Sequence, residues 1–566
     1  MKKTIALLLT VLLVLTALPL CASAQEEGFG FAVASDLHYN PPRAELEHDI
    51  DDPVFWYANR RAAMEDESDF IIDAFLDQCA ENDDVNFVIV TGDLIDNGRA
   101  NPDQHRTMAA KFRDFEAATG KPIYVINGNH DLSDESATDR PLFKEIYREF
   151  GYDEALTVDE KTCSYTADLN EKYRLIALDT NPNTASTEDD MDSARRNWTI
   201  AQAKQAKADG KYPILIMHHA LLDHMPLQRI FSHNFIIRQH LTTADRFADA
   251  GIRLVFSGHE HGSDAAMHIS PLGNPIYDLA TTSLTMYPLS YRIVNVTDGE
   301  IRYDAATVHA IDLEALTAAC AGYTDAQLDP MRADLNTYAK DFLKAGIRYR
   351  LGLALTAEKI GIKASSPLYS PVDKAVTGLT DLLAMPLYGE EDSAEAVGKR
   401  YGITLPATSC TNGWDLVTDL VAAHYAGEEA YTLDSSEVTA LLHLAAIAAR
   451  RIFPATDGRL LTDAADAVLA ANGLSGEAAA LQTRTETEFG AFNPAEYLLV
   501  AVASPLLYGF AYDDDDVNDN HGAIPGYGAA TDNLGNLQAK GTTLLDRLTL
   551  FLTLFTTYIR KMLGIA

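Results

Sequence analysis

Short runs of β-branched and apolar residues alternate with stretches in which apolar residues recur every three or four positions. The first pattern is that of strands buried on both faces, the second that of helices with one apolar stripe. Five of the apolar runs end alike. Residues 31–35 lead into Asp36-Leu-His38, and residues 88–91 into Gly92-Asp93-Leu-Ile-Asp96. Residues 122–127 lead into Gly128-Asn-His-Asp131, residues 212–217 into His218-His219, and residues 252–257 into Gly258-His-Glu-His261. Every tip carries Asp, Asn or His. Ligand sites of open α/β sheets lie beyond the carboxyl ends of the strands, so these side chains are expected to converge on one pocket.

The stretches between the runs read as helices. From 67 to 81, Ile71, Phe75 and Cys79, with Ile72 and Leu76, keep a helical period and place Cys79 in the core. Met108, Phe112 and Phe115 form a second stripe, ended by Gly120. Residues 193–209 predict a helix stopped by Gly210, and residues 243–250 a further one. Residues 173–178 add a strand that ends at Asp179-Thr180. This alternation implies an α/β sandwich rather than a bundle. Residues 291–296 and 301–304 flank Thr297-Asp-Gly299, a hairpin signal expected to close the first unit.

Beyond about Asp312 the rhythm stops, and Ala- and Leu-rich helical patterns take over, clearest at 437–451 with a helix start at 434–436. Turn-rich pieces at Ser366-Pro-Leu-Tyr369, Met385-Pro-Leu-Tyr388 and Ser504-Pro-Leu-Leu-Tyr508 are irregularly spaced and make no repeat array. Residues 542–563 read as a packed terminal helix. Arg547 and Arg560 stand too close together for the roughly 20-residue apolar run of a membrane span. Residues 311–566 therefore read as a mainly helical second domain of unknown role. A chain cut near Val308 is expected to fold alone.

At 566 residues the chain exceeds one ordinary core. Its formal net charge of −37 argues against a basic nucleic-acid groove and against attraction to anionic membranes, and it favours cations. Residues 1–24 have the form of a signal peptide: Lys2-Lys3, an apolar core, then Ala22-Ser-Ala24. A secreted or extracytoplasmic location follows. Anchoring as a lipoprotein through Cys21 is disfavoured by Leu20, where a small residue is expected. Cys79, Cys163, Cys320 and Cys410 are scattered and show no zinc or disulfide framework.

The tip residues form a nitrogen and oxygen donor set without thiolate, suited to Mn, Fe, Zn or Co. They are too many for one tetrahedral ion. Seven ligands with one shared carboxylate would fill two adjacent sites and leave room for water. Two ions roughly 3.5–4 Å apart can hold a hydroxide nucleophile and neutralise a phosphoryl oxygen together.

The ordered set Asp36-x-His38, Gly92-Asp93, Gly128-Asn-His130, His218 and Gly258-His-x-His261 resembles the calcineurin-like metallophosphoesterase superfamily. The resemblance implies a four-layer α/β/β/α sandwich over residues 25–310. It implies two transition metal ions, divalent or of mixed valence. Asp36, His38 and His261 would bind the first, and Asn129, His218 and His259 the second, with Asp93 bridging both. His130 would face the substrate as a proton donor or charge stabiliser, Asp131 would orient His130, and Asp96 would support a ligand from behind. The implied reaction is hydrolysis of a phosphodiester or phosphomonoester by in-line attack of a metal-bound hydroxide. The substrate would be a small-molecule or lipid-derived phosphate ester.

Two departures narrow the comparison. Purple acid phosphatases carry a metal-binding Tyr where this chain has Asp96, and protein Ser/Thr phosphatases an Arg where it has Asn97. The stretch from Gly92 to Gly98 resembles instead the bacterial branch that includes cyclic-nucleotide phosphodiesterases. The competing reading is a non-catalytic metal-binding or scaffolding protein that keeps the fold, which should have lost ligands. His219 reads as packing or support; Arg99 could touch a phosphate but reads by default as a solvated loop residue, and the 513–516 acidic run with Asn518 and Asp519 lacks an EF-hand's ordered calcium ligands and reads as a solvated loop. His224, His233 and His240 lie in an insertion that could cap the site.

Overall fold

A computed structural model describes residues 29–44, 62–225, 233–354, 369–432, 434–452 and 518–527, with Gln228 and shorter pieces between 356 and 501. The expected signal peptide (1–24), the turn expected at 504–508, the 513–516 acidic run and the 542–563 stretch lie outside the described residues. In chain order the strands are β1 (Phe29–Ala34), β2 (Val88–Val90), β3 (Ile123–Val125), β4 (Thr157–Val158), β5 (Tyr165–Asp168), β6 (Tyr173–Leu178) and β7 (Tyr212–Met217). There follow β8 (Leu254–Ser257), β9 (Asp264–Ile269), β10 (Pro275–Ala280), β11 (Ser290–Val296), β12 (Glu300–Thr307) and β13 (His521–Pro525). One sheet runs β13-β12-β11-β1-β2-β3, the other β4-β5-β6-β7-β8-β10-β9.

The tip-bearing strands are the parallel ones. β1, β2 and β3 run parallel, as do β6, β7, β8 and β10. Apolar layers cover both their faces, which is why they read as unbroken apolar runs. Between the sheets Phe31 meets Phe256 edge-on, ring centroids 5.7 Å apart. Outside the first sheet lie helices α1 (Ser68–Glu81) and α2 (Pro102–Thr119); Phe75 of α1 packs on Tyr291 of β11 at 4.8 Å. The short α3 (Arg140–Ile146) follows. Outside the second sheet, α4 (Ser193–Ala208) and α5 (His240–Ala250) set Ala203, Ala244 and Phe247 against Ile176, Leu215 and Val255. The α/β/β/α layering is thus present. α5 starts three residues before its apolar stripe, and Cys79 is fully buried.

The chain after 311 is helical where described: α6 (Leu313–Ala319), α7 (Asp325–Ala333), α8 (Leu335–Ala354), α9 (Tyr369–Ala384), α10 (Ala394–Arg400), α11 (Gly413–Ala426), α12 (Ser436–Ile452) and α13 (Ala478–Phe489). Leu382, Trp414, Leu416, Leu444 and Ile447 give it a core of its own. Its separateness, expected from the sequence, needs correction. Leu335, Phe342, Leu343, Ile347, Ala422 and Ile524 belong to the core of the sheets. β13 pairs antiparallel with β12, Ile524 opposite Ile301, so the 290–307 hairpin does not close its sheet. β12 would otherwise present an open edge, and covering it removes unpaired backbone groups.

One contact across these parts makes stability depend on pH. Glu67 is 4% exposed and accepts the Tyr323 hydroxyl at 2.7 Å. Burial pushes its pKa up to about 7, against the opposing pull of that hydrogen bond. A carboxyl raised this way favours the fold while protonated, so its contribution is lost as pH rises from the ordinary value of 4.5 through about 7. Glu67→Gln is therefore expected to raise stability at pH 8 by about 1–3 kcal/mol and to change little at pH 4.5. Urea melts at the two pH values check this; equal shifts at both would contradict it.

Candidate metal centre

The candidate ligands stand just beyond the parallel strands, and the loops that carry them continue the ladder. Asp36 N donates to Gly92 O and His38 N to Asp93 O, both at 3.0 Å. Asp36, His38, Asp93, His259 and His261 all have φ between 42° and 67°. Side-chain-bearing residues rarely adopt this left-handed region. Each costs of order 1–3 kcal/mol and persists only where the surroundings over-determine it. Gly92, with φ 107°, is required for a different reason. A Cβ there would stand 2.6 Å from His218 Nδ1 and 2.8 Å from Gly128 N.

The side chains meet in linked groups. Asp36, His38 and His261 offer ligand atoms within 4.8 Å of one another, as do Asp93, His218 and His259, and as do His38, Asp93 and His130. In the first group His38 Nε2 faces His261 Nε2 at 3.2 Å, with Asp36 Oδ1 at 3.8 and 3.2 Å from them. In the second, His218 Nε2 lies 3.4 Å from Asp93 Oδ2 and 3.0 Å from Asn129 Oδ1. Asp93 Oδ2 also lies 3.9 Å from His38 Nε2, between the two groups.

These atoms fit cations. Asp36 Oδ1 and Asp93 Oδ2 are buried without a hydrogen-bond donor. Buried polar atoms are normally paired, and each such exception calls for an explanation. The second oxygen of each carboxylate is occupied: Asp36 Oδ2 by Ser35 Oγ at 2.5 Å and His259 N at 2.9 Å, Asp93 Oδ1 by His130 N at 2.7 Å. Two of the far ring nitrogens are occupied too: His218 Nδ1 bonds Thr91 O at 3.0 Å and His259 Nε2 bonds Asn234 O at 3.1 Å, while His38 Nδ1 faces the Asp96 carboxylate at an ion-pair distance of 3.4 Å. Such outer bonds select the tautomer that leaves the other nitrogen a lone pair.

Burial opposes charge on Asp36, but His261 and His218 hold its carboxyl below the usual range. Burial likewise opposes charge on Asp93, and His218 and His130 hold it well below. Burial lowers the His218 pKa, yet Asp93 and Asp36 push it up to about 9. Burial, with His219 and His218 as neighbours, drives His259 well below its ordinary value. A cluster of buried imidazoles around two carboxylates is what a shared positive charge would stabilise.

Other expected roles fall differently. His130 Nδ1 lies 2.7 Å from Asp96 O, so Asp96 supports both His38 and His130. Asp131 does not orient His130, and that expectation is corrected. Its carboxylate accepts Ile95 N at 3.1 Å and Gly128 N at 2.7 Å and thereby braces the two loops that carry Asp93 and Asn129. Neighbours in sequence point apart here because the turn after β3 reverses the chain. His219 bonds Thr180 Oγ1 at 2.8 Å and packs its ring on His259, as a supporting residue would.

Arg99 is not a solvated loop residue. It is half-buried, and its Nη2 donates to Ser186 O at 3.0 Å. His224 is buried against Asp264 at 2.7 Å, and His240 pairs with Asp223 at 2.9 Å. Neither joins a ligand group, and exposed His233 lies 3.7 Å from Glu188. Their insertion reaches the site through Asn234 O and through Phe235, whose ring lies 4.7 Å from that of His259. The sequence reading also missed Arg140, which pairs with Asp179 at 2.9 Å while Asp179 accepts Asn127 Nδ2 at 3.0 Å. The signal was there, since Asp179 ends β6 as other carboxylates end their strands.

Residues 29–263 match the family model described as calcineurin-like phosphoesterase. Among solved structures, the chain is similar to a dimetal phosphatase from Danio rerio at 13% identity and TM-score 0.35, covering 50% of this chain and 96% of that one. It is similar to a purple acid phosphatase from yellow lupin seeds at 10% identity and TM-score 0.30, covering 50% and 52%. A phosphopantetheinyl hydrolase from Mycobacterium tuberculosis aligns at 12% identity and TM-score 0.25, covering 45% and 90%. No curated protein matches. The ordered Asp, Asn and His tips and their convergence agree with the family match, which identifies residues 29–263 as similar to the calcineurin-like phosphoesterase family.

Proposed function

We propose that the protein is a secreted, dinuclear metal-dependent phosphoesterase. The observation that carries this is the pair of buried, donorless carboxylate oxygens, Asp36 Oδ1 and Asp93 Oδ2, each ringed by imidazole nitrogens at strand ends. Asp36, His38 and His261 would hold one ion, Asn129, His218 and His259 the other, with Asp93 between them. When bound, two such ions supply Lewis acidity and lower the pKa of water. The chain's own residues do the rest. Asp96 holds His38 and His130, and Asp131 fixes the loops that aim Asp93 and Asn129. Arg99 adds a half-buried cation with no carboxylate partner among the described residues, suited to an anionic substrate. Among the described residues no helix is long and apolar enough to cross a membrane.

Elemental analysis of the purified mature chain, with nitrophenyl-phosphate and bis-nitrophenyl-phosphate as substrates, tests the proposal. Bound metal without turnover of either would favour the scaffolding reading. The likeness of Gly92 to Gly98 to the phosphodiesterase branch supports a diester. A screen over cyclic nucleotides, phospholipid head-group esters and simple monoesters decides that point.

His130 comes within ligand distance of His38 and Asp93 but is assigned to the substrate side. Nδ1 is held by the Asp96 carbonyl, and the proton passed to a leaving oxygen is assigned to Nε2. His130→Ala is expected to retain metal and to lose roughly 10²–10⁴ in turnover. Acidic leaving groups should suffer least, because they need little protonation. Metal loss in this variant would make His130 a ligand instead, and a loss independent of the leaving group would remove its acid role.

A further inference from the structure

The loop from Gly258 to Ser263 carries two candidate ligands, His259 and His261, both at left-handed φ. Its first half is held by the sheets: Gly258 N donates to His218 O and His259 N to Asp36 Oδ2, each at 2.9 Å. Its second half is held by the C-terminal region. Ser263 N donates to Tyr425 O, at the end of α11, at 3.1 Å. Ser263 Oγ bonds Asn520 Oδ1 at 3.0 Å, and Ala265 N donates to Asp519 Oδ1 at 3.0 Å.

These holds are tied to one another. Asn520 Nδ2 donates to Ala426 O at 2.7 Å and to Gly427 O at 2.8 Å, locking residues 518–527 onto the α11 terminus. Fully buried Arg292 of β11 donates to Asp519 O at 2.6 Å and to Ser263 Oγ at 3.0 Å. Gly427, φ 62°, lies where three segments touch; a Cβ there would stand 2.8 Å from both Ser263 O and Asp519 Cβ. The far end of the strap is anchored on the other sheet, where Leu254 N donates to Tyr527 Oη at 3.2 Å.

We propose that the C-terminal region is a clamp on the metal-ligand loop, with Asn520 as its central positioning residue. This rests on the metal reading of the site. Strained backbone persists only where its surroundings over-determine it. The sheets determine one side of the His259–His261 turn, and α11 with the strap determines the other. Asn520 touches neither substrate nor ligand. It joins α11, the strap and Ser263, and through Ser263 it sets where His261 stands.

The test is Mn(II) affinity of the full chain, read by calorimetric titration beside the melting temperature of the metal-free protein. Asn520→Ala is expected to weaken Mn(II) binding about 10-fold, the low end of what lost supporting contacts cost a metal site. Tyr527→Phe, which trims the same strap at its far anchor, should lower the melting temperature and leave Mn(II) affinity within about twofold, since it supports no ligand. If Asn520→Ala fails to fold, Ser263→Ala is read instead and should weaken Mn(II) several-fold. Unchanged affinity in the readable variant overturns the clamp, as does an equal loss in Tyr527→Phe. A wild-type chain that binds no Mn(II), or binds it equally well as His261→Ala, overturns the metal reading and the clamp with it.

Discussion

Asp93→Ala is expected to lose both metals together and to lose more turnover than the roughly 10²–10⁴ expected of His130→Ala. Asp93 belongs to two of the three ligand groups, and its Oδ2 stands between His218 Nε2 and His38 Nε2 at 3.4 and 3.9 Å. Removing it takes the shared negative charge from between two positions expected to hold cations. It also takes Oδ1 from His130 N, so the residue on the substrate side loses its backbone anchor. Alanine tolerates the φ of 48° at this position less well than aspartate does, which adds strain to the loop. Asp93→Asn separates these effects. It keeps shape, an acceptor for His130 N and tolerance of the left-handed backbone, but not the charge. Elemental analysis with turnover on both variants reads the outcome. Two ions and near-wild-type rate in Asp93→Ala would remove the bridging assignment.

A chain ending at Val308 is expected to be insoluble or metal-free, the reverse of what the sequence pattern alone suggests. Truncation strips β13 from β12 and opens a long edge, the usual template for aggregation. It uncovers the part of the core filled by Leu335, Phe342, Leu343 and Ile347. It leaves the Arg292 guanidinium without the Asp519 carbonyl, in a place where burial already lowers its pKa. A buried charge that loses an acceptor is among the costlier single defects. It also frees the second half of the 258–263 loop. Expression of residues 25–308, followed by size-exclusion chromatography and metal analysis, checks this. A soluble monomer with full metal content would show that the sheets suffice.

The local sequence determined the elements and the candidate donors. Continuous apolar runs mark strands covered on both faces, and stripes of period 3.6 mark the helices on them, because each pattern repeats within a few residues. Asp36, His38, Asp93, Asn129, His218, His259 and His261 were legible as candidate ligands because each stands within a few residues of a strand end, and parallel strands put such ends side by side. What the tertiary structure decided are the relations between distant segments. Asp131 adjoins His130 yet braces Ile95 and Gly128, since chain adjacency does not set where a side chain points. His224 looked available for a site and is consumed by Asp264, 40 residues away. β13 is five residues containing Gly and Pro, a composition that reads as a turn, and it becomes a strand because β12 offers an unpaired edge. The same closure brings Asn520 to Ser263, where the helical region meets the loop that carries two candidate ligands.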